Sequence, residues 1–524
     1  MGRALVFSVG NELAVMTDDR GRFEFKIGGN PNETSDEVGA ASRVPAGITV
    51  TTRFFQVRKP GYLDSGQMPV RDDGSSSGDT TIYLQPEALI VGKINSADAE
   101  HFLRFNVQLY KQELRMGQEH WQQAGNFTTW SDGEFRFAGL AAGTYKVLTL
   151  EQMDQEYQFG RAPAQEFGYP ATFYPGVADF ASANVIHVAA GQTFEANFTV
   201  TRRPYYPVKI PVSTAPGNQG FNVMVYPLGH AGPGFSLGYD QGEQAIVGRM
   251  PDGVFTVGVV SYGPNSAAGI TNFSVQGAGV QGGSLNMVPN ATLIVNVRKS
   301  FRSADQEPQQ GVRPGSNLEF FVRGGNNPGL QLELDPAEDF GLAQPQISRP
   351  VGESTNTLEI AGIVPGKYTV RASPIYGYAS SVLYGGVELL RQPLVVGLGG
   401  ISSPIEVTLR DDGAEVQGEV DDEAASPTAV TGGVAMKPPR FVHFVPMPGS
   451  TGQYRQTASN NQGAFIESQL PPGDYLVLVF AGADPNLHLS FADVVAKYSA
   501  LGQVISVAPE QKLQLRLKTI AEDQ

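Results

Sequence analysis

Two stretches, Gly74-Ser75-Ser76-Ser77-Gly78 and Gly234-Phe235-Ser236-Leu237-Gly238, carry the Gly-x-Ser-x-Gly spacing of a serine-hydrolase nucleophile elbow. That chemistry needs a strand entering and a helix leaving, so that the serine is pushed outward beside an oxyanion hole. The first stretch lies in a low-complexity loop and the second in a Gly/Pro-rich connection, so neither is read as catalytic. The six histidines, His101, His120, His187, His230, His443 and His488, offer neither His-x-x-Glu with a distant His nor His-Glu-x-x-His. No zinc site is assigned on that spacing. No Asp or Glu stands in a plausible cleft-forming segment as one of a glycosidase pair. Cysteine is absent altogether, which removes disulfides, thiol nucleophiles and thiolate metal ligands together. The expectation is a protein that is not an enzyme and carries no cofactor.

Two binding chemistries have better support in residue type. Flat aromatic rings stack on the C–H faces of a pyranose while polar neighbours bond its hydroxyls. Trp121 and Trp130 are the only tryptophans, flanked by Gln118, Gln122, Gln123 and Asn126, with Tyr169, Phe173 and Tyr174 later in the same region. Trp121, Trp130, Tyr169 and Tyr174 are therefore the candidate carbohydrate platform; the competing reading is that large aromatics of a sandwich fill its core. The acidic turns Asp18-Asp19, Asp72-Asp73, Asp411-Asp412 and Asp421-Asp422-Glu423 supply hard oxygen ligands, and the last two flank a domain junction where calcium would fit best. No Asp-x-Asp-x-Asp-Gly loop is present, and a solvated turn is the plainer reading of each.

Composition sets the frame for these residues. The 524-residue chain holds 62 glycines, 36 prolines, 17% charged and 10% aromatic residues, the usage of many short strands joined by tight turns. A formal net charge of −15 excludes affinity built on clustered Lys and Arg, hence nucleic acid and anionic membrane surfaces. No run of about 20 apolar residues is present to span a bilayer as a helix. Met1-Gly2-Arg3 and Ala4 to Val9 lack a small-residue cleavage site, so the start reads as a truncated first strand without a signal peptide, with residues missing upstream. The turn Thr17-Asp18-Asp19-Arg20-Gly21 followed by Arg22-Phe23-Glu24-Phe25 reads as a hairpin.

One pattern recurs: a polar turn, an alternating strand, a Pro/Gly corner and a second alternating strand. In Ser131-Asp132-Gly133-Glu134-Phe135-Arg136-Phe137-Ala138-Gly139-Leu140-Ala141-Ala142-Gly143-Thr144-Tyr145-Lys146-Val147, Phe135 and Phe137 point one way and Glu134 and Arg136 the other. Gly143 is expected at a tight corner with positive φ, and Tyr145 opens the returning strand with its ring toward the core. The pattern returns at Asn356–Val370 with Gly366 and Tyr368, at Asn461–Val477 with Gly473 and Tyr475, and in weaker form at Gln244–Val257 with Gly253. These corner glycines follow one another after 110, 113 and 107 residues. That period suits a seven-strand sandwich of about 100 residues. Five units follow: 1–86, 87–201, 202–298, 299–410 and 411–524, the first lacking part of its N-terminus and the third divergent. Junctions without Ser/Gly linkers predict an elongated rod, of about 175 Å for five units of about 35 Å each. Phe491 to Tyr498 has the spacing of one short helix, read as a lid or packing insertion.

The segments Asp18–Phe25, Ser131–Val147, Leu358–Val370 and Asn461–Val477 resemble the carboxypeptidase-regulatory-like domain, a prealbumin-like sandwich related to collagen-adhesin B-type repeats and starch-binding-like folds. Tyr169–Gly176, and Ser381–Gly386 with Pro393–Val396, are similar to stretches of multidomain secreted bacterial proteins carrying such repeats. The resemblance implies an all-β tandem array of Ig-like or prealbumin-like sandwiches. It also implies a location in the periplasm, at the cell surface or outside the cell, and a structural or adhesive role, with carbohydrate binding as the alternative. The partner would be a protein or a glycan. Hydrolysis is not implied, because the name comes from an accessory module. Some collagen-adhesin-type domains cross-link a buried Lys to Asn or Asp, and Lys93 on the opening strand of the second unit is the candidate.

Overall fold

The computed structural model describes residues 1–8, 13–24, 51–65, 68–72, 82, 84–96, 104–115, 118–154, 165–213, 220–263, 265–277, 280–281, 283–302, 328–352, 356–401, 403–421, 429–431, 434–436, 440–460, 462–480 and 491–520. Its regular structure is nearly all β, as expected. The alternation of Phe135 and Phe137 with Glu134 and Arg136 does what a period of two dictates: the strand Glu134–Leu140 buries the first pair and exposes the second.

Each later unit builds its first sheet around its own opening strand. In the second, Ala88–Ser96 runs antiparallel to Glu134–Leu140 and parallel to Thr193–Glu195 and Phe198–Val200. In the third, Arg203–Ser213 does so with Ala245–Pro251 and Leu285–Asn286. In the fourth, Ala291–Lys299 does so with Thr357–Ile363 and Ile405–Arg410, so this unit begins ahead of the boundary expected at 299, and in the fifth Ala414–Asp421 does so with Ala464–Leu470 and Lys512–Lys518. A facing sheet completes each sandwich, as Leu330–Pro336, Gly366–Pro374 and Leu394–Val396 do in the fourth. Separate apolar cores fill the spaces between sheets, drawn from residues 88–200, 208–285, 293–409 and 414–517.

The corner chemistry sits one strand-end earlier than the sequence suggests. Gly143 and Gly366 do not have positive φ; Gly139 and Gly362, each four residues upstream, do, at +69° and +72°, and Gln469 at +59° holds the same place before Gly473. At this point the strand bulges, and pairing with the opening strand slips one residue after Ala88, Ala291 and Ala414 alike. A side chain at Gly143 would make only ordinary contacts with Tyr145 and Lys111, the nearest at 3.5 Å, so Gly143 is not required by its backbone. The tyrosines two residues on are the true fixtures. Tyr145, Tyr368 and Tyr475 are fully buried, and each hydroxyl donates to the carbonyl four residues upstream: Ala141 at 2.8 Å, Val364 at 2.6 Å and Pro471 at 2.6 Å. Burial pushes the Tyr145 and Tyr368 hydroxyls up to about 12, so they remain donors. The third unit keeps the ring but not the bond, with buried Phe255 at this place. Tyr368→Phe is accordingly expected to cost the fourth unit about 1 kcal/mol and no more, because the ring still packs; urea denaturation checks this.

Three expectations need correction. Residues 22–24 are not a strand: Asp18 Oδ1 accepts the Arg20 and Arg22 amides at 2.9 and 2.8 Å, which ties this backbone into a turn. The hairpin forms earlier, between Leu5–Ser8 and Ala14–Met16, in a four-stranded sheet with Thr51–Arg58 and Met68–Asp72. Second, one sheet crosses from the second unit into the third, because Glu166–Tyr169 pairs with the start of Arg203–Ser213 and with Gln152–Met153. Third, the middle of the array is not in line: side chains of the second unit touch those of the fourth across the third. The helix Phe491–Tyr498 is present and lays Val494, Val495 and Tyr498 on Leu476, Leu478 and Phe480 of the fifth unit.

Candidate functional site at the inter-unit seams

The four rings of the carbohydrate platform go to separate places. Tyr169 is 2% exposed and edge-on to Phe105 at 5.3 Å in the core of the second unit, so it cannot stack on a sugar. Tyr174 packs edge-on to Phe194 and Phe198, both at 6.1 Å. Trp130 is half-exposed at the turn before Glu134 and rests on Phe127 at 5.0 Å. Trp121, on the other strand face, packs on Phe180 at 5.6 Å. Strand alternation explains the dispersal: the rings lie on different elements and different faces.

Other candidates also change meaning. Lys93 is exposed, and its backbone amide rather than its amine bonds Asn197, at 2.8 Å, so it is no buried cross-linking lysine. The buried lysine of that unit is Lys146, whose Nζ donates to the Phe180 carbonyl at 2.7 Å and lies over the Trp121 and Phe180 rings at 5.0 and 4.6 Å. Burial pushes its pKa down, against the pull of Asp179. Ser236 lies in the seam between second and third units, its amide donating to Glu151 Oε2 at 3.1 Å, and a strand, Gly238–Asp240, follows it instead of a helix. Ser76, His101 and His488 lie outside the described residues, as do Asp73, Asp422 and Glu423. Among the described residues no three His, Cys, Asp or Glu side chains are grouped to hold a metal.

What the structure does bring together is a set of inter-unit seams. Between second and third units, Glu151 takes the Ser236 amide and gives its own amide to the Gly234 carbonyl at 2.9 Å, and Arg249 pairs with Glu166 at 2.5 Å. Burial lifts the Glu151 carboxyl to about 7. Gly234 matters here: its φ is +125° and a Cβ would come within 2.4 Å of the Ala171 side chain. Between fourth and fifth units, Asp412 is buried and accepts from the Tyr378 hydroxyl at 2.8 Å and from Arg410 Nε at 2.9 Å, with Arg410 Nη2 on its other oxygen. Burial pushes Asp412 up, but Arg410 and Tyr378 outweigh it and hold the carboxyl below its usual range. Its oxygens are thus committed to an ion pair, which removes it as a calcium ligand. Arg302–Glu510 at 2.7 Å and Gln453 Nε2 to the Ala379 carbonyl at 2.5 Å close the same seam.

The third seam joins units two and four. The loop after Leu330–Pro336 sends Asp339 to His120 Nδ1, 2.7 Å away with both side chains largely shielded, and Phe340 against Phe180 at 4.7 Å and Tyr110 at 5.7 Å. Two residues on, Leu342 is buried on Val260 and Ala268 of the third unit, in a space left by Gly258, where a Cβ would lie 2.7 Å from it. One short loop therefore keys into two other units. Phe180, Asp339 and Phe340 were not marked by sequence reasoning, and His120 only as a histidine without ligand spacing; the one signal present is the repeated Asp-Phe dipeptide at 179–180 and 339–340.

No family model matches this chain, and no curated protein does. Solved structures give faint likenesses. The Bacillus anthracis TIE protein is 9% identical over 90% of this chain and 57% of its own, with a TM-score of 0.14. The RrgB pilus protein of Streptococcus pneumoniae is 9% identical over 85% and 99%, at 0.15. Two B repeat units of the Staphylococcus aureus collagen-binding protein are 10% identical over 75% and 93%, at 0.15. The chain spans little more than half the length of the TIE protein chain it matches. Likenesses at these scores carry no argument about function. No helix among the described residues is long and apolar enough to cross a membrane.

Proposed function

We propose that this chain is a non-catalytic, extracytoplasmic scaffold, structural or adhesive in role, whose five sandwich units hold a protein- or glycan-binding surface in fixed geometry. The observation that carries this reading is the construction of the seams. Chemistry that could have served a ligand, above all the Asp412–Arg410–Tyr378 cluster, is spent on fixing one unit to the next. A chain meant to flex would leave its junctions to solvated linkers. The resemblance to carboxypeptidase-regulatory-like repeats supports the location and the absence of hydrolysis. The glycan reading retains one half-exposed ring, Trp130, and has lost Tyr169.

The absence of native cysteine permits a direct test. Spin labels on Lys367→Cys and Lys512→Cys, both at exposed positions either side of the last seam, are expected to give one narrow distance distribution by double electron–electron resonance. A broad distribution in the folded chain would show units that swing freely and would end the scaffold reading.

A further inference from the structure

Phe340 does not fill the core of its own unit; it enters an aromatic cluster of another. Phe180 is the floor of that cluster, with Tyr110 at 5.4 Å, Trp121 at 5.6 Å and Phe173 at 6.1 Å around it. All four rings belong to the second unit. Lys146 lies over the Trp121 and Phe180 rings with its charge turned to the Phe180 carbonyl. At the rim, His120 meets the carboxylate that precedes Phe340. An apolar recess beside a hydrogen-bonding imidazole is a receptor for a short segment with an acid next to an aromatic residue. Residues 339 and 340 are such a segment, bound in cis, Asp339 lying 219 residues from His120 in sequence and joined to the receptor only through the fold.

We infer that the second unit carries a recognition site for an acidic–aromatic dipeptide, occupied in cis by Asp339–Phe340, and that the same dipeptide of a second copy of this chain can take it. The geometry does not depend on which copy supplies the loop. Tethering keeps the local concentration of the cis segment high, so it wins whenever it is intact and in reach. Where it is missing or held away, the vacated site accepts the loop of a neighbour, and chains become linked through identical contacts, as in a swapped assembly. Self-association of this kind is independent of the compartment in which the scaffold works.

Complementary variants separate the two halves of the contact. One full-length chain carries Asp339→Ala and Phe340→Ala, leaving the receptor empty; the other carries His120→Ala and Trp121→Ala, leaving the dipeptide without a home. After circular dichroism and melting curves show both folded, each is sedimented alone and in a 1:1 mixture at several hundred micromolar, with a single-substitution pair, Phe340→Ala and His120→Ala, run in parallel. The expected result is monomer for each alone and a heterodimer in the mixtures. A peptide of residues 336–343 should dissolve it, and the same peptide with alanine at 339 and 340 should compete at least tenfold less well. Mixtures that sediment as the sum of two monomers would overturn the inference.

Discussion

Replacing Asp412 by Ala is expected to weaken the seam between the fourth and fifth units by about 3 kcal/mol. Its carboxylate is almost fully buried, and its loss leaves the buried Tyr378 hydroxyl without its acceptor. An orphaned buried polar group costs about 1–3 kcal/mol, and breaking a buried ion pair about 3–5 kcal/mol. The upper figure does not apply in full, because the Arg410 side chain is 42% exposed and can turn to water. The control is Asp421→Ala, an exposed carboxylate at a strand end, expected to stay within about 0.5 kcal/mol of the parent. Urea unfolding followed together with proteolysis near residue 412 reads the difference. Asp412 also carries a pH signature. Its folded pKa is depressed, so its stabilisation is present above the unfolded value of about 3.9 and is lost as the pH falls through the folded one. Equal stability of the Asp412→Ala and Asp421→Ala variants would mean that the seam is decorative.

The second large effect lies inside the fifth unit. His443 is 1% exposed between the sheet and the helix Phe491–Tyr498; Nδ1 lies 2.7 Å from the Tyr454 hydroxyl and Nε2 has no hydrogen-bond partner among the described residues. Burial pushes its pKa down to about 4. The folded unit therefore keeps the imidazole neutral while the unfolded chain takes a proton below about 6.5, so stability is full above that pH and erodes as the pH falls toward 4. A gap of this width corresponds to about 3 kcal/mol. Glu467 of the same unit runs the other way. Burial lifts it to about 7, so its contribution is present at low pH and is lost as the pH rises through 7. The parent's profile mixes the two, and only a difference isolates the histidine. Between pH 7 and pH 4, His443→Gln is expected to gain on the parent by about 3 kcal/mol in denaturant titrations. Parallel profiles for the two proteins would refute it.

The fold was legible where the physics is local. Phe135 and Phe137 announce a half-buried strand by alternation, Tyr145, Tyr368 and Tyr475 announce a buried returning strand, and Phe491 to Tyr498 announces a helix by spacing. The bulge was misplaced because a glycine at a Pro/Gly corner looks like the turn, whereas Gly139 and Gly362, inside an apparent strand, hold the left-handed backbone. The platform failed at Tyr169 because composition says which rings exist and not which face they take. The seams were invisible for another reason. Asp412 reads as one of several acidic turns until Tyr378 is brought 34 residues back to it, and the pairing of His120 with Asp339 spans 219 residues. No periodicity connects such residues; only the packing of finished units does. The same gap produced the straight rod, which follows from short junctions when units have no attraction for one another.

The claim that rests most on those seams is that the middle of the array is folded back and held. Small-angle scattering from the intact chain measures it directly. A folded-back array gives a maximum dimension well short of the roughly 175 Å of five units in line, and lengthens measurably when Asp339 and Phe340 are both replaced by alanine. A parent chain already as long as the straight array, with no change in the variant, would contradict it.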